Sequence, residues 1–217
     1  MTDGDQVRVL SDASADDFRQ MLAIYQEAIE KSEQKPASAI ARLVREPNYI
    51  VLVAGRENTI SGCAMAFFPK SGTFWLLEYL ATRRDLRSRG TGRQLFFAAK
   101  SAAQTRCPDR PCIIEADQPH GQVTPANDPV RRLRFYRTLG CRTIQGLDYI
   151  LPLATAGQPP PMQLLVHGLD EQTRLPRETI EEWLNALYTE VYDQQTDDPR
   201  IGKMLSSARD GADFGLS

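Results

Sequence analysis

The sequence predicts a mixed α/β domain, and three observations support this prediction. Residues 49–54 and 60–68 are apolar, strand-like segments separated by a turn at 57–58, a pattern typical of a hairpin. Residues 74–81 are apolar on both faces, which indicates a strand in the middle of a sheet. A short turn rich in arginine and glycine connects this strand directly to a helix at 94–104. Strands and helices are therefore expected to alternate in one domain.

The other elements of the main domain follow in chain order. A first helix is expected from Asp16 to about Lys31, because apolar residues repeat there at helical spacing behind two acidic residues. A short helix is expected at 38–45, and a short buried strand at 111–116. The next helix is expected to begin after Asp128, with a proline in its first turn, and to end at Gly140.

The last third of the chain extends this domain. Strands are expected at 149–153 and 162–166, and a strongly amphipathic helix at 177–192. Residues 193–217 are polar and are predicted to be mobile. The sequence is therefore divided into a main domain over 1–170 and a C-terminal helix and tail over 171–217. That helix could pack on the domain, cover a site or form a homodimer.

Composition excludes several classes of protein. The net charge of −2 gives no general attraction to nucleic acid or to an anionic membrane surface. No apolar run is long enough to span a bilayer, and the polar, acidic N-terminus does not resemble a signal peptide. The four cysteines lack the paired spacing of a metal site, so no metal is expected and the thiols are expected to be reduced. A cytoplasmic protein is predicted.

The strongest functional signal is the turn before the helix at 94–104. The first backbone N–H groups of a helix have no internal acceptor, and the helix dipole favours an anion there. Glycines allow a phosphate to approach the backbone, and arginines add fixed positive charge. The candidate anion-binding residues are Arg87, Ser88, Arg89, Gly90, Thr91, Gly92 and Arg93. The turn matches neither a P-loop nor a dinucleotide-binding fingerprint.

The spacing that fits is Arg87-x-x-Gly90-x-Gly92. It resembles the pyrophosphate-binding signature of the GNAT superfamily, the acyl-CoA-dependent N-acyltransferases. Residues 80–82 lie where that family has its fourth-strand segment, and residues 135–141 resemble its later "FYxxxGF" motif, with a cysteine in the last position. The resemblance extends over about residues 14–170. It implies a central, mostly antiparallel sheet that splays at a cofactor cleft, with acetyl-CoA as the co-substrate.

The resemblance also implies roles for individual residues. Leu80, Ala81 and Thr82 would pair through their backbone with the pantetheine arm, and a backbone N–H there would polarise the thioester carbonyl. Tyr136 would be the general acid that protonates the leaving thiolate. Arginines 131, 132, 134 and 137 on the same helix either hold the 3′-phosphate or an acidic substrate, or are simply solvated.

A general base must take a proton from the acceptor ammonium. Glu78 is the candidate, because it is the lone charged residue of its strand and is expected to share a face with Leu80 and Thr82. Apolar surroundings would raise its pKa toward the useful range. Glu115, in the next strand, is a second candidate, and His120, in the loop at 118–128, is a third.

The sequence therefore predicts an N-acetyltransferase that transfers an acetyl group to a primary amine by direct attack in a ternary complex. The alternative is a non-catalytic, acyl-CoA-binding regulatory module that has kept the cofactor site. Nucleic-acid binding through the arginine-rich segments is a third reading, which the net charge and the scarcity of aromatic residues there disfavour. The identity of the acceptor and the oligomeric state stay open.

Overall fold

A computed structural model of the chain describes residues 5–119, 129–152, 161–206 and 213–217, with Ser32 described by its backbone alone. The described residues contain seven strands and six α-helices. They form two compact units. The first unit comprises residues up to 70 and 75–108, and the second comprises 71–74 and the described residues from 109 onwards. The sequence-based division at residue 170 stays a prediction.

The first unit is a sheet with helices packed against it. Its strands pair antiparallel in the order β1-β2-β3-β4, and its helices are α1, α2 and α3. The element bounds are β1 Gln6–Val9, α1 Asp16–Ala28, α2 Ala37–Leu43, β2 Tyr49–Arg56, β3 Thr59–Phe67, β4 Trp75–Thr82 and α3 Thr91–Arg106. One core cluster joins α1 to this sheet through Met21 and Tyr25, which pack with Cys63, Met65 and Ala81. Burial of these apolar side chains stabilises the layer by roughly 1.5–3 kcal/mol for each large residue.

A bulge interrupts the pairing of β3 with β4. Met65 lies opposite Tyr79, and Ala66 lies opposite Leu77, so Glu78 is an extra residue on β4 with no residue facing it. An extra residue breaks the alternation of side chains between the two faces of a strand and changes the direction in which they point. The bulge therefore decides which side of the sheet the Glu78 carboxylate occupies.

The second unit is also built on an antiparallel sheet. β7 lies between β5 and β6 and pairs with both. The element bounds are β5 Cys112–Asp117, α4 Pro129–Thr138, β6 Arg142–Thr143, β7 Met162–His167, α5 Arg177–Ala186 and α6 Pro199–Ser206. A π-helical turn at Leu187–Val191 continues α5. The predicted fold class, a mixed α/β structure with a mostly antiparallel sheet, is confirmed.

Two predictions about the second unit need correction. Residues 149–153 were expected to form a strand, but Tyr149 makes only an isolated bridge to Met162. The tail from 193 was expected to be mobile, but it contains α6, with Ile201 and Met204 buried. Phe214 is buried as well and bridges Leu175. Burial of these few apolar side chains orders part of an otherwise polar tail. β6 in this unit and β1 in the first unit were not predicted from the sequence.

The apolar face of α5 is buried in its own chain. Its members are Ile180, Trp183 and Leu184, and the π-helical turn adds Leu187 and Tyr188. The predicted amphipathic helix is thus present, and its apolar face packs on its own chain. A homodimer stays an untested prediction, and this apolar face is not available to form it.

None of the described helices combines the length and the apolar character needed to cross a membrane. Within the same part of the chain, no group of three or more His, Cys, Asp and Glu side chains could hold a metal ion. Cys63, Cys107, Cys112 and Cys141 are all buried free thiols.

Candidate active site

The turn after β4 exposes the first backbone N–H groups of α3. Gly90 precedes the helix with a φ of +90°, a left-handed conformation that favours glycine. No side chain caps the helix, and its first hydrogen bond runs from the Gln94 N–H to the Gly90 carbonyl at 3.0 Å. The N–H groups of Thr91, Gly92 and Arg93 therefore lack intrahelical acceptors. Together with the helix dipole they form an anion site.

The positive charge around this turn depends on which of its arginines form salt bridges with carboxylates. Arg83 forms a salt bridge with Asp85 at 2.8 Å. Arg89 and Arg93 form no salt bridge with any carboxylate in the described part of the chain. The Arg93 guanidinium lies over the ring of Phe97, 5.0 Å from its centroid, which orients it without neutralising its charge. Among the described residues, Arg89 and Arg93 are thus two cations that can pair with an anionic ligand.

Asp5 ties the start of α3 to β3. One of its carboxylate oxygens accepts hydrogen bonds from the Ser61 hydroxyl at 2.6 Å and from the Thr91 hydroxyl at 2.8 Å. The Thr91 side chain is buried and committed to this contact, so only its backbone N–H is available to a ligand. Asp5 could not be predicted from the sequence, because it lies 86 positions before Thr91 and no local pattern links them.

The fourth-strand segment has two different faces. Ala81 is buried opposite Cys63, in the cluster that contains α1. Thr82 lies on the other face, where a Cβ on Gly62 would meet both Thr82 and Leu95 of α3. Leu80 and Thr82 are partly exposed, so this α3-facing side of β4 is accessible at the end of the strand. The predicted contact of Leu80, Ala81 and Thr82 with pantetheine stays a prediction.

The Glu78 side chain does not share the face of Leu80 and Thr82, and that prediction was wrong. The bulge places its carboxylate on the α1 side, with Tyr79 and Ala81. Its side chain is only 1% exposed. A strand that is apolar on both faces gives no sequence signal for a bulge, and a slip of one residue exchanges the two faces of a strand.

Lys35 is the partner of Glu78. Its ammonium nitrogen lies 2.5 Å from Glu78 Oε1, and the lysine side chain is 16% exposed. The contact is an ion pair without the alignment of a hydrogen bond, and among the described residues neither Glu78 oxygen has a hydrogen-bond partner. Lys35 lies between α1 and α2 in a segment with no periodic pattern, so no sequence signal pointed to it.

Two tyrosines surround this ion pair. The rings of Tyr25 and Tyr79 pack edge to face with their centroids 4.9 Å apart. The Tyr25 hydroxyl accepts a hydrogen bond from the Lys35 backbone N–H at 2.7 Å. Burial raises the pKa of Tyr25, and the nearby Glu78 charge raises it further. The ion pair therefore lies beside two tyrosine rings, and the Tyr25 hydroxyl is neutral at physiological pH.

Tyr136, in the second unit, is a buried tyrosine on α4. Burial raises its pKa above the ordinary value, so its hydroxyl holds its proton at neutral pH. The charged groups that influence it are Arg132 and Asp117, which form an ion pair with each other. Within the described part of the chain no hydrogen bond of the Tyr136 hydroxyl is found. A protonated hydroxyl without a committed partner can donate a proton to a ligand.

Glu115 has a different environment in the same unit. Tyr149 donates a hydrogen bond to Glu115 Oε1, and Tyr192 donates one to Oε2 at 2.6 Å. Burial, followed by the Glu115 charge, raises the pKa of Tyr149 well above its ordinary value. Both carboxylate oxygens are thus engaged by hydroxyl donors. No described hydrogen bond or ion pair joins Glu115 to Tyr136, and His120 lies outside the described residues.

The arginines of α4 separate into two groups. Arg132 is committed to Asp117. Arg134 and Arg137 instead line an open cavity of about 660 Å³ with Val130 and Leu133 of the same helix. Of the four arginines considered from sequence, Arg134 and Arg137 line this cavity, whose volume is sufficient for a ligand.

Comparison with known proteins places these features in context. The model of the acetyltransferase (GNAT) family matches residues 15–140, more than half of the chain. No curated protein sequence matches. Among solved structures, a GNAT-family protein from Bacteroides thetaiotaomicron is similar over 88% of this chain and 99% of its own, with 20% identity and a TM-score of 0.67.

Two further structures have a related fold. Ard1 from Thermoplasma volcanium is 17% identical over 76% of this chain and 97% of its own, with a TM-score of 0.57. The ribosomal-protein-S18-alanine N-acetyltransferase from Escherichia coli is 13% identical over 75% of this chain and 92% of its own, with a TM-score of 0.56. At these identities the similarity shows a shared fold.

Proposed function

Because the chain belongs to the GNAT acetyltransferase family, we propose that it is an N-acetyltransferase that transfers an acetyl group from acetyl-CoA to a primary amine. The observation that carries this proposal is the uncapped start of α3 behind Gly90, beside which Arg89 and Arg93 form no salt bridge with a described residue. This arrangement suits the pyrophosphate of coenzyme A, which needs several N–H donors and positive charge.

The cofactor would be held mainly by backbone groups. The pyrophosphate would lie on the N–H groups of residues 88–93, and the guanidiniums of Arg87, Arg89 and Arg93 would add charge. The pantetheine arm would pair with the backbone of residues 80–82. A backbone N–H of that segment would polarise the thioester carbonyl and stabilise the developing oxyanion. The proposed reaction involves no metal.

Proton transfers would be divided between two side chains. The acceptor arrives as an ammonium ion, and Glu78 would take a proton from it to release the nucleophilic amine. The amine attacks the thioester carbon, an N–C bond forms and the C–S bond breaks. Tyr136, kept neutral by burial, would protonate the leaving thiolate of coenzyme A. Glu115 is the alternative base, although two tyrosine hydroxyls already occupy its oxygens.

We also propose a reducing, cytoplasmic location. The observation that favours it is that all four cysteines are buried free thiols, whereas secreted domains commonly form disulfides.

The test of the proposed function is an assay of coenzyme A thiol release with a panel of primary amines, for the wild type and Tyr136→Phe. We expect turnover with at least one amine, and a decrease in kcat of about 100-fold or more in Tyr136→Phe. The KM for acetyl-CoA should stay unchanged. Tyr188→Phe is the matched control, because Tyr188 is another buried tyrosine of the same unit whose hydroxyl bonds a backbone carbonyl. Tight binding of acetyl-CoA without turnover on any amine would favour the non-catalytic module instead.

A further inference from the structure

The ion pair of Lys35 with Glu78 calls for a functional explanation. Moving two charges out of water costs several kcal/mol for each ion, and their attraction repays this only when further hydrogen bonds satisfy both groups. Neither Glu78 oxygen has a hydrogen-bond partner within the described part of the chain. A contribution to stability is therefore a weak explanation for this ion pair. The pair also places a primary ammonium group in contact with the carboxylate that we propose as the base.

We propose that Lys35 is a self-acetylation site: the protein transfers an acetyl group from acetyl-CoA to its own Lys35 side chain in an intramolecular reaction. This inference rests on the proposed function, because it uses the same co-substrate and the same base. It names an acceptor amine that is already in contact with Glu78, at 2.5 Å, before any external substrate arrives.

The reaction balances with the groups already named. The Lys35 ammonium gives one proton to the Glu78 carboxylate and becomes a neutral amine. The amine attacks the carbonyl carbon of the acetyl thioester, the N–C bond forms and the C–S bond breaks. The attacking nitrogen loses its second proton, and the coenzyme A thiolate takes up one proton as it leaves. The products are N-acetyl-Lys35 and free coenzyme A, and no oxidant, reductant or metal is required.

Geometry distinguishes Lys35 from the other lysines of the chain. Its side chain is 16% exposed and paired with a buried carboxylate. Lys31, Lys70, Lys100 and Lys203 are exposed. Exposed lysines can react slowly with acetyl-CoA without catalysis, so they provide an internal background. Lys31 is the best reference, because it lies four residues from Lys35 in the same connection between α1 and α2.

Acetylation would also change the state of Glu78. The modified side chain has no positive charge, although its amide N–H can still donate a hydrogen bond. Glu78 would then be a buried carboxylate without a counter-ion.

The experiment uses the purified full-length protein and isotopically labelled acetyl-CoA, with peptide mapping by mass spectrometry. The acetylated fraction of Lys35 is measured first in the protein as purified, and labelling is then followed in time. We expect Lys35 to be labelled about tenfold faster than Lys31, or more. A ratio of about tenfold is smaller than the rate increase that a positioned general base usually provides. In urea-denatured protein the two rates should become similar.

Kinetics and variants complete the test. The half-time of Lys35 labelling should not depend on protein concentration, because the reaction is intramolecular. Lys31→Arg should leave the rate at Lys35 unchanged. Glu78→Gln should lower that rate about tenfold or more, toward the rate at Lys31, and its melting temperature shows whether the variant is folded. The dilution series tests the proposal even if that variant does not fold.

The outcomes separate this inference from the proposed function. If the protein binds acetyl-CoA and acetylates an added amine, but labels Lys35 no faster than Lys31, self-acetylation is wrong and the proposed function stands. A labelling rate that rises with protein concentration also overturns the intramolecular reaction. If acetyl-CoA does not bind at all, the proposed function fails, and self-acetylation fails with it.

Discussion

Two glutamates of this protein have similar sequence contexts and different surroundings. Glu78 in β4 and Glu115 in β5 each interrupt an apolar strand. In the first unit, Glu78 is buried, contacts one ammonium group and has no hydrogen-bond partner among the described residues. In the second unit, Glu115 accepts hydrogen bonds from the hydroxyls of Tyr149 and Tyr192. A contact with a titratable cation permits proton exchange, whereas two neutral hydroxyl donors hold a carboxylate in place.

The comparison shows that a carboxylate in an apolar strand has no role fixed by its strand. What it can do depends on the groups that reach it from elsewhere in the chain. Lys35 precedes Glu78 by many residues, and Tyr192 follows Glu115 by 77. We therefore assign proton transfer to Glu78 and a structural role to Glu115. Three predictions test this assignment and one compares a buried thiol of each unit, in order of decreasing effect.

The largest effect is expected on catalysis. Glu78→Gln should lower kcat for an amine acceptor by about 100-fold or more, because it removes the base, whereas Glu115→Gln should lower it by less than about tenfold. Initial rates of thiol release measure both, and calorimetric titration checks that each variant still binds acetyl-CoA. Equal losses in the two variants, or a larger loss in Glu115→Gln, would reverse the assignment of the two carboxylates.

The next effect is on the stability of the first unit. Lys35→Met removes the counter-ion and leaves the buried Glu78 charge uncompensated, so the free energy of unfolding should fall by about 3–5 kcal/mol at neutral pH. Urea denaturation followed by circular dichroism measures this change. Lys31→Met, at an exposed position, is the control and should change stability by less than about 0.5 kcal/mol. A near-neutral Lys35→Met would mean that Glu78 is not charged in the folded protein.

The third effect is on the pH dependence of stability, and it concerns one buried thiol from each unit. Burial raises the pKa of Cys63 and that of Cys141 from 9.0 to about 12. The folded state therefore keeps protons that the unfolded state loses. The stability from each thiol is fully present below about pH 9 and is lost as the pH rises toward about 12.

The corresponding measurement is urea denaturation at about pH 8 and about pH 10.5. Between these values each thiol should account for about 2 kcal/mol of the loss in unfolding free energy. Cys63→Ala and Cys141→Ala should each show a correspondingly smaller loss than the wild type. If either variant retains the full pH dependence, the thiol it lacks does not have a raised pKa.

The smallest effect concerns the hydroxyls around Glu115. Tyr192→Phe removes one hydrogen bond to a carboxylate and should lower the free energy of unfolding by about 1–3 kcal/mol at neutral pH. In the background of Glu115→Gln the same substitution should cost less, and the difference is the coupling energy of the pair. Additive effects would show that the hydrogen bond contributes nothing to stability.

The parts of the candidate site that the sequence predicts are those determined by local chemistry. The turn at Gly90 before α3 follows from the spacing of glycines and arginines between a strand-like and a helix-like segment. The position of Tyr136 on a helix follows from a motif that begins within that helix. Both depend on residues only a few positions apart, where spacing fixes geometry.

The parts that the sequence did not predict depend on long-range contacts or on irregular backbone. The bulge at Glu78 changes the face of a residue without any change in its neighbours in sequence. Its partner Lys35 comes from an aperiodic connection, and Tyr192 reaches Glu115 from 77 residues away. α6 was missed because its buried residues form a single short stripe in a polar tail. In each case tertiary packing determines the local structure or the contact, and no pattern of neighbouring residues indicates it.

The central claim is that the start of α3 binds the pyrophosphate of acetyl-CoA, and calorimetric titration tests it most directly. The proteins are the wild type, Gly90→Glu and Gly72→Glu. The two glycines are matched, because both have a positive φ, +90° and +65°, and an added Cβ would meet nothing within 4 Å at either position. Glutamate therefore strains the backbone in a similar way at each, but adds negative charge to the proposed anion site at Gly90 only.

We predict a Kd in about the micromolar range for the wild type and for Gly72→Glu, and binding weakened by about 100-fold or more in Gly90→Glu. A wild-type protein that does not bind acetyl-CoA, or a Gly90→Glu variant that binds it as well as the wild type, would contradict the claim.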